Sequence, residues 1–266
     1  MELARLRLRG GYGVAAAILL LVLAPAYQSV VFGSDYLNAI QAIAGRHDFG
    51  PYLVWISQNT AADWLSRVLQ LVGYALAATL PGPLVKALWP PTQTDPRADS
   101  KARWSSLPAL LAGWAGFGLF ALTLVVGALT SVNSASAYVA ANATQRGAIA
   151  SQFAGIYALE TIFSRVIGGF LVAIFLGMVC ARMASTRALP RWLAYLGALV
   201  VILISANALL FAFAPTQVGT FVSTPAIAGL ALWLAGLGIL LARVRSLPLV
   251  TPQEASEETT ETTGDT

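Results

Sequence analysis

The fold is decided by the stretch Tyr157–Arg182, YALETIFSRVIGGFLVAIFLGMVCAR. It carries two charges near its start, Glu160 and Arg165, and then runs without a charge as far as Arg182. A helix rises about 1.5 Å per residue, so about 20 apolar residues cross a hydrocarbon core of roughly 30 Å. The stretch therefore predicts a membrane span. Counting back from Arg182 places Arg165 about one turn inside the bilayer boundary and Glu160 at or beyond it.

The composition of the whole chain indicates the same class. Of the 266 residues, 57% are hydrophobic and 11% are charged, whereas about 25% of an ordinary soluble domain is charged. Helices satisfy their own backbone hydrogen bonds in lipid. We therefore predict an all-α polytopic membrane protein, a six-transmembrane-helix bundle formed by residues 1–248. The predicted spans are about 11–32, 65–85, 107–129, 157–181, 192–213 and 221–241.

The segments outside these spans differ in character. The basic start of the chain and the apolar run after it resemble a signal sequence, but the length of the run and Pro25 within it favour an uncleaved first span. The polar and aromatic residues 34–63 predict an outer segment of short helices between spans 1 and 2. Residues 249–266 are acidic and rich in threonine, which predicts a disordered cytoplasmic tail.

The charge distribution predicts the orientation. Lys and Arg cluster beside the spans at one side, in the segments before span 1, between spans 2 and 3, between spans 4 and 5, and after span 6. Cytoplasmic loops carry such an excess of basic residues. We therefore predict a multi-pass protein of the plasma (inner) membrane with both termini in the cytoplasm.

Polar residues within the predicted spans concentrate near the side away from the basic flanks. At about 1.5 Å per residue, Arg165, Asn207, Gln70 and Arg67 lie roughly 24–28 Å from the basic flank of their span, and Glu160 lies a turn or two farther out. The predicted ligand-binding residues are Arg165, Asn207, Gln70, Arg67 and Glu160, with Gln28 and Thr224 at a similar level. They are either interfacial residues, with the two arginines extending to lipid head groups, or a polar vestibule open to the exterior with Arg165 facing an anion.

The spacing of the charges also predicts their partners. Glu160 and Arg165 are five residues apart, roughly 140° around an α-helix, so each should find its partner on another element. We expect Arg67 to pair with Glu160 and Asp63 to pair with Arg165. A stripe of small residues every four positions, from Gly169 to Ala181, predicts close packing of span 4 against another helix. Trp55 and Trp64 are predicted to anchor the outer interface.

Common catalytic signatures are absent from the sequence. It contains no G-x-S-x-G elbow, no phosphate-binding loop and no H-E-x-x-H pair. One Cys and one His cannot form a Cys/His metal site, so no metal or cofactor is predicted, and nothing suggests nucleic acid as a partner. The predicted partners are the lipid bilayer, a lipid or hydrophobic small molecule, and another membrane protein.

Three functions remain open on these observations. The first is an accessory protein without catalytic activity that binds a lipid or a partner through the polar layer. The second is a membrane-embedded enzyme acting on a lipid or hydrophobic metabolite, with Glu160, Asp63 or His47 as acid or base. The third is a small transporter, although the inner parts of the spans lack the charges expected at a transport site.

Residues 163–213 carry a resemblance to a known family. FSRVIGGFLVAIFLGMVCARMASTRALPRWLAYLGALVVILISANALLFAF combines a Gly-rich span, a basic turn with Leu-Pro-Arg-Trp-Leu, and another apolar span. It resembles the closing half of the bacterial membrane family catalogued as domain of unknown function 4386. The resemblance implies a six-helix bacterial inner-membrane protein and brings no functional residues with it.

Overall fold

A computed structural model of the protein describes residues 2–89, 96–186, 189–213 and 218–243. The helices are α1 (Glu2–Ile18), α2 (Ala24–Val31), α3 (Gly33–Arg46), α4 (Gly50–Gln58), α5 (Thr60–Ala77), α6 (Pro81–Leu88), α7 (Pro96–Ala140), α8 (Ala143–Thr161), α9 (Gly169–Thr186), α10 (Arg191–Phe213) and α11 (Val218–Arg243). Two π-helical turns, Leu19–Leu23 and Ile162–Gly168, join α1 to α2 and α8 to α9. The described residues contain no strand, and the predicted all-α class is confirmed.

Within the described ranges, six helical segments are long and apolar enough to cross a membrane, as the sequence predicts. They are Arg7–Val31, Thr60–Leu88, Ser106–Ala140, Ala143–Thr186, Arg191–Phe213 and Ser223–Arg243, which we number spans 1 to 6. The chain is therefore a multi-pass membrane protein. The predicted acidic tail, residues 249–266, lies outside the described residues.

The spans form a closed ring. Each span packs on its neighbours in sequence, and the ring closes where α1 packs along α11. That closure is tight, because a Cβ added at Gly10 would lie 2.6 Å from the backbone nitrogen of Ala242 and 2.6 Å from the backbone oxygen of Gly238. Small residues allow helices in lipid to approach this closely. Glycine thus sets the distance between the first and last spans.

One end of the ring is filled with apolar side chains. This is the basic end, which carries Lys86, Arg182 and Arg191 at the ends of their spans. Trp233, Phe117 and Phe175 are buried in the ring interior there. The basic half of the bundle is a packed core.

Helices α3 and α4 confirm the predicted short helices between spans 1 and 2, and they form a second core at the opposite end. Phe32, Phe49, Trp55 and Phe153 belong to this core, which we call the aromatic cap. The rings of Phe32 and Trp55 meet at a centroid distance of 4.7 Å. Trp55 is only 4% exposed, so its predicted role as an interfacial anchor is wrong.

The aromatic cap exists because spans 3 and 4 extend much farther than the predicted boundaries of 129 and 157. Helices α7 and α8 continue to residues 140 and 143 and turn at Asn142, whose side chain accepts a hydrogen bond from the Gln145 backbone at 3.0 Å. The Gln145 side chain in turn accepts from the Asn142 backbone, so the two residues form a capping box. The protruding hairpin gives α3 and α4 a surface on which to pack.

The predicted packing stripe on span 4 is correct in part. Added Cβ atoms on Gly169 would lie 3.6 Å from Ala208 and from Ile204 of span 5. At Gly177 an added Cβ would meet nothing within 4 Å, and Ala181 is exposed. The stripe is therefore packed at Gly169 and Ala173 and open at Gly177 and Ala181.

Candidate functional site

The ring interior holds a polar cavity at the end beneath the aromatic cap. Its volume is about 190 Å³, and all five predicted ligand-binding residues line it. The lining residues are Arg67, Gln70, Tyr74, Phe120, Thr123, Leu124, Tyr157, Glu160, Thr161, Ser164, Arg165, Gly169, Ile204, Asn207, Ser223, Ala226, Ile227 and Leu230. They come from spans 2 to 6, so the cavity exists only when the ring is assembled.

The cavity changes character along the bundle axis. In spans 2, 5 and 6 its apolar lining side chains lie nearer the basic end than its polar ones, as with Tyr74 after Gln70 and Leu230 after Ser223. The rings of Tyr74 and Phe120 stack at 4.9 Å and form part of this apolar wall. The cavity thus offers polar groups near its outer end and apolar surface below them.

Arg165 is held on one wall by spans 5 and 6. Its Nη1 donates a hydrogen bond to Ser223 Oγ at 3.1 Å, and its guanidinium lies 4.5 Å from the ring centroid of Phe211. Ser223 Oγ in turn donates to Asn207 Oδ1 at 2.8 Å. Within the described part of the chain, no carboxylate lies within 4 Å of this guanidinium. An arginine inside a membrane protein normally has such a counter-charge.

Glu160 lies on a different wall, against span 3. Its Oε1 accepts a hydrogen bond from Thr130 Oγ1 at 2.9 Å. Its Oε2 lies 2.7 Å from the place where a Cβ on Gly127 would be, and Arg67 Nη1 lies 2.7 Å from the same place. The two side chains therefore meet over a glycine, without the 4 Å contact of an ion pair. The predicted pairing of Arg67 with Glu160 is wrong as a direct salt bridge.

Arg67 has a different carboxylate as its partner. Its Nε donates to Asp63 Oδ2 at 2.8 Å, one helical turn earlier on the same helix. Asp63 is therefore not the partner of Arg165, and that prediction is wrong. The Asp63 and Arg67 side chains are 6% and 17% exposed, so this pair is buried and Arg67 does not extend to lipid head groups.

Glu160 and Arg165 each have their partner on another element, as predicted, and the π-helical turn in span 4 nevertheless brings both to one cavity. In an α-helix, residues five apart face in different directions, but a π turn forms i→i+5 hydrogen bonds and brings them closer to one face. Ile162–Gly168 is such a turn, and Arg165 lies at its centre. Both charged residues consequently face the same cavity. Turns of this kind are common at functional sites.

The amides of spans 1 and 2 form a smaller network beside the cavity. Gln28 Nε2 donates to Ser66 Oγ at 2.8 Å, and Gln70 Nε2 lies 3.5 Å from the same oxygen. Gln70 lines the cavity and Gln28 does not. This network connects span 1 to the site through span 2.

The aromatic cap meets the polar end of the cavity at two tyrosines. Tyr157 lines the cavity and packs on Phe49, with ring centroids 5.4 Å apart. Arg67 Nη2 donates to Tyr52 Oη at 3.4 Å. Burial raises the pKa of the Tyr52 hydroxyl well above its ordinary value, so this group stays neutral and can act as a hydrogen-bond donor or acceptor. Because these tyrosines connect the aromatic cap to the site, a movement of the cap would move the polar end of the cavity.

Two of the three candidate acid or base residues are unsuited to chemistry in the cavity. His47 is exposed and ends α3 in a left-handed conformation with φ 54°, and it does not line the cavity. Asp63 is bound to Arg67 and does not line it either. Of the three candidates, Glu160 is the one whose carboxyl group lines the cavity. The residues that the structure describes contain no group of three His, Cys, Asp or Glu side chains placed to hold a metal ion.

Several residues of the site could not be found from the sequence. The depth ruler selected Thr224 in span 6, but Thr224 is exposed and its neighbour Ser223 bonds Arg165. Neighbouring residues on a helix point about 100° apart, so an estimate of depth alone cannot tell which of them faces the cavity. Thr130 and Phe211 carried no signal beyond being near the same end of their spans.

Comparison with protein-family models found no match, and comparisons with curated proteins and with solved structures found no significant match. The resemblance to the family catalogued as domain of unknown function 4386 therefore stays a prediction.

Proposed function

We propose that this membrane protein binds the polar head group of a lipid or lipid-like amphiphile in the cavity, as an accessory protein that does not catalyse a reaction. The observation that carries the proposal is the convergence of Arg67, Gln70, Glu160, Arg165 and Asn207 on one cavity. Polar groups are costly inside a membrane and usually serve a function there.

The small number of partners around the Arg165 guanidinium supports an anionic group on the ligand. Its guanidinium has one serine oxygen and the face of a phenylalanine ring as its described partners. A guanidinium has five N–H donors in a planar fork that matches carboxylate and phosphate oxygens. A bound anion would supply both the missing charge and the missing acceptors.

The cavity volume supports a head group in preference to a whole lipid. A water needs about 10–15 Å³ measured in this way, so about 190 Å³ holds roughly a dozen water-sized units. That is below the 300–1,000 Å³ typical of pockets for drug-sized ligands. The head group would occupy the polar end, and the acyl chains would remain in the surrounding lipid.

Binding is favoured over transport and over catalysis by two observations. The basic half of the ring is filled by buried side chains such as Trp233 and Phe117, so the cavity ends in a packed core. Among the described residues that line the cavity, Glu160 has the one carboxyl group, and no second Asp, Glu or His lines it. With the predicted orientation in the plasma membrane, the cavity faces the exterior.

Native mass spectrometry of the full chain tests this proposal. Protein released from nanodiscs of phosphatidylethanolamine and phosphatidylglycerol should retain one lipid molecule. Arg165→Gln should lose it, whereas Arg191→Gln, which removes an exposed arginine at the basic end, should keep it. Melting temperatures of the lipid-free proteins show whether each variant is folded. Equal retention by wild type, Arg165→Gln and Arg191→Gln, or none by wild type, would refute the proposal.

A further inference from the structure

The charges around the cavity do not cancel locally. Asp63 and Arg67 form an ion pair, and Glu160 lies beside that pair, so the three side chains carry one net negative charge when ionised. Arg165 carries one positive charge against spans 5 and 6. The cavity therefore has an acidic wall and a basic wall.

Each wall presents unused hydrogen-bonding capacity. On the acidic wall, Glu160 Oε1 accepts from Thr130, and Oε2 has no donor among the described residues. On the basic wall, Arg165 donates one hydrogen bond, to Ser223. A carboxylate oxygen requires a donor, and the guanidinium fork requires acceptors. The two walls therefore suit ligand groups of opposite charge.

From this arrangement we infer that the bound head group is a zwitterion, with a primary ammonium group on Glu160 and a phosphate or carboxylate on Arg165. The inference rests on the proposed function. An ammonium with N–H groups satisfies Glu160 Oε2 by charge-assisted hydrogen bonds, whereas a quaternary ammonium has no N–H to donate. A purely anionic head group would leave Glu160 unsatisfied.

The shape of the site fits a short zwitterion. The π-helical turn brings Glu160 and Arg165, five residues apart, to the same cavity, while their partners lie on span 3 and on spans 5 and 6. A ligand whose charges are separated by a short linker spans these two positions. Phosphatidylethanolamine has this chemistry, and so do free molecules such as O-phosphoethanolamine.

The test compares lipids that differ only in the head group. Nanodiscs contain phosphatidylethanolamine, phosphatidylcholine or phosphatidylglycerol at equal amounts, and native mass spectrometry measures which lipid the full-length protein retains. We expect phosphatidylethanolamine to be retained over phosphatidylglycerol by about tenfold, which corresponds to about 1.4 kcal/mol, the low end for a hydrogen bond to a charged group. Phosphatidylcholine should be retained least.

Variants assign the two charges. Glu160→Gln should lower the retention of phosphatidylethanolamine to that of phosphatidylglycerol, whereas Asp35→Asn, which neutralises an exposed acid on α3, should preserve the preference for phosphatidylethanolamine. Arg165→Lys keeps the charge and serves if Arg165→Gln does not fold; it should weaken retention without changing the preference.

The outcomes separate this inference from the proposed function. If wild type retains phosphatidylglycerol as well as phosphatidylethanolamine, or if Glu160→Gln keeps the preference, the zwitterion assignment is overturned while head-group binding stands. If wild type retains none of the lipids, both are overturned. Added O-phosphoethanolamine distinguishes the source: displacement of the lipid supports recognition of the free head group, and its failure to displace assigns the site to the intact lipid.

Discussion

Replacing Arg67 with glutamine tests whether the charges beneath the aromatic cap form a buried network or interfacial groups in contact with water. The substitution removes the partner of Asp63, whose side chain is 6% exposed, and the cation nearest to Glu160. Breaking a buried pair from one side costs about 3–5 kcal/mol, because a charge remains without compensation. An exposed pair contributes about 0.2–1 kcal/mol. The two interpretations therefore predict clearly different losses.

The network also predicts an asymmetry between the two partners. Asp63→Asn leaves Arg67 beside Glu160, which can still compensate its charge, so we expect a loss of only about 1.5–3 kcal/mol, as for a hydrogen bond to a charged group. In the Asp63→Asn, Arg67→Gln double variant, the loss of the Asp63–Arg67 pair lowers the free energy of unfolding only once. The two single losses should therefore exceed the double loss by about 1 kcal/mol or more.

Equilibrium unfolding in mixed micelles of a mild detergent and dodecyl sulfate, followed by circular dichroism, measures the four free energies of this cycle. Arg46→Gln is the matched control, since Arg46 is an exposed arginine on α3, and its loss should stay within about 0.5 kcal/mol. A loss below about 1 kcal/mol for Arg67→Gln would refute the buried network and restore the interfacial interpretation.

Two further predictions concern packing and pH. Gly10→Ala places a methyl group 2.6 Å from the backbone of span 6 and should destabilise the bundle by about 1–3 kcal/mol, as overpacking does. Gly11→Ala, whose added methyl group meets nothing within 4 Å, should be neutral or stabilising. Thermal melts compare the two variants, and equal melting temperatures would contradict the tight packing of span 1 on span 6. Burial raises the pKa of Tyr36 in the aromatic cap to about 12, above its ordinary value of about 10. The stability due to this proton is present in full below about pH 10 and is lost as pH rises from about 10 to about 12. The free energy of unfolding, measured against pH, should fall over this range in wild type and fall less in Tyr36→Phe. Identical pH profiles for the two proteins would contradict the raised pKa of Tyr36.

The class of the protein was predictable because bilayer thickness imposes a length on every apolar run. The lengths of Tyr157–Arg182 and the other apolar runs predicted six spans, and the polar segment after span 1 predicted short helices; the structure has both. The level of Arg165 and Asn207 was also predictable, since depth follows from the rise per residue. Span ends were less predictable, because α7 and α8 continue past the apolar runs into the aromatic cap.

The Asp63–Arg67 pair was predictable from spacing, because the two residues lie four apart on one helix, and the expected partners of Asp63 and Arg67 overlooked this local signal. The direction in which Glu160 and Arg165 face was not predictable from spacing, since the turn Ile162–Gly168 changes which residues share a face. Trp55 was assigned to the interface because tryptophan is common there, but its environment depends on a hairpin more than 70 residues later in the chain. The common direction of Glu160 and Arg165 and the burial of Trp55 thus depend on features that local sequence spacing does not specify.

The sequence by itself determined that the chain is a six-span helical membrane protein and that its polar residues lie at one level. Hydrophobic length and helical rise are local properties, so they are readable along the chain. Only the tertiary structure decided that Glu160 and Arg165 face one cavity, on walls of opposite charge. These facts depend on the rotation of each helix about its axis, and rotation is set by packing in the closed ring and by the π turn.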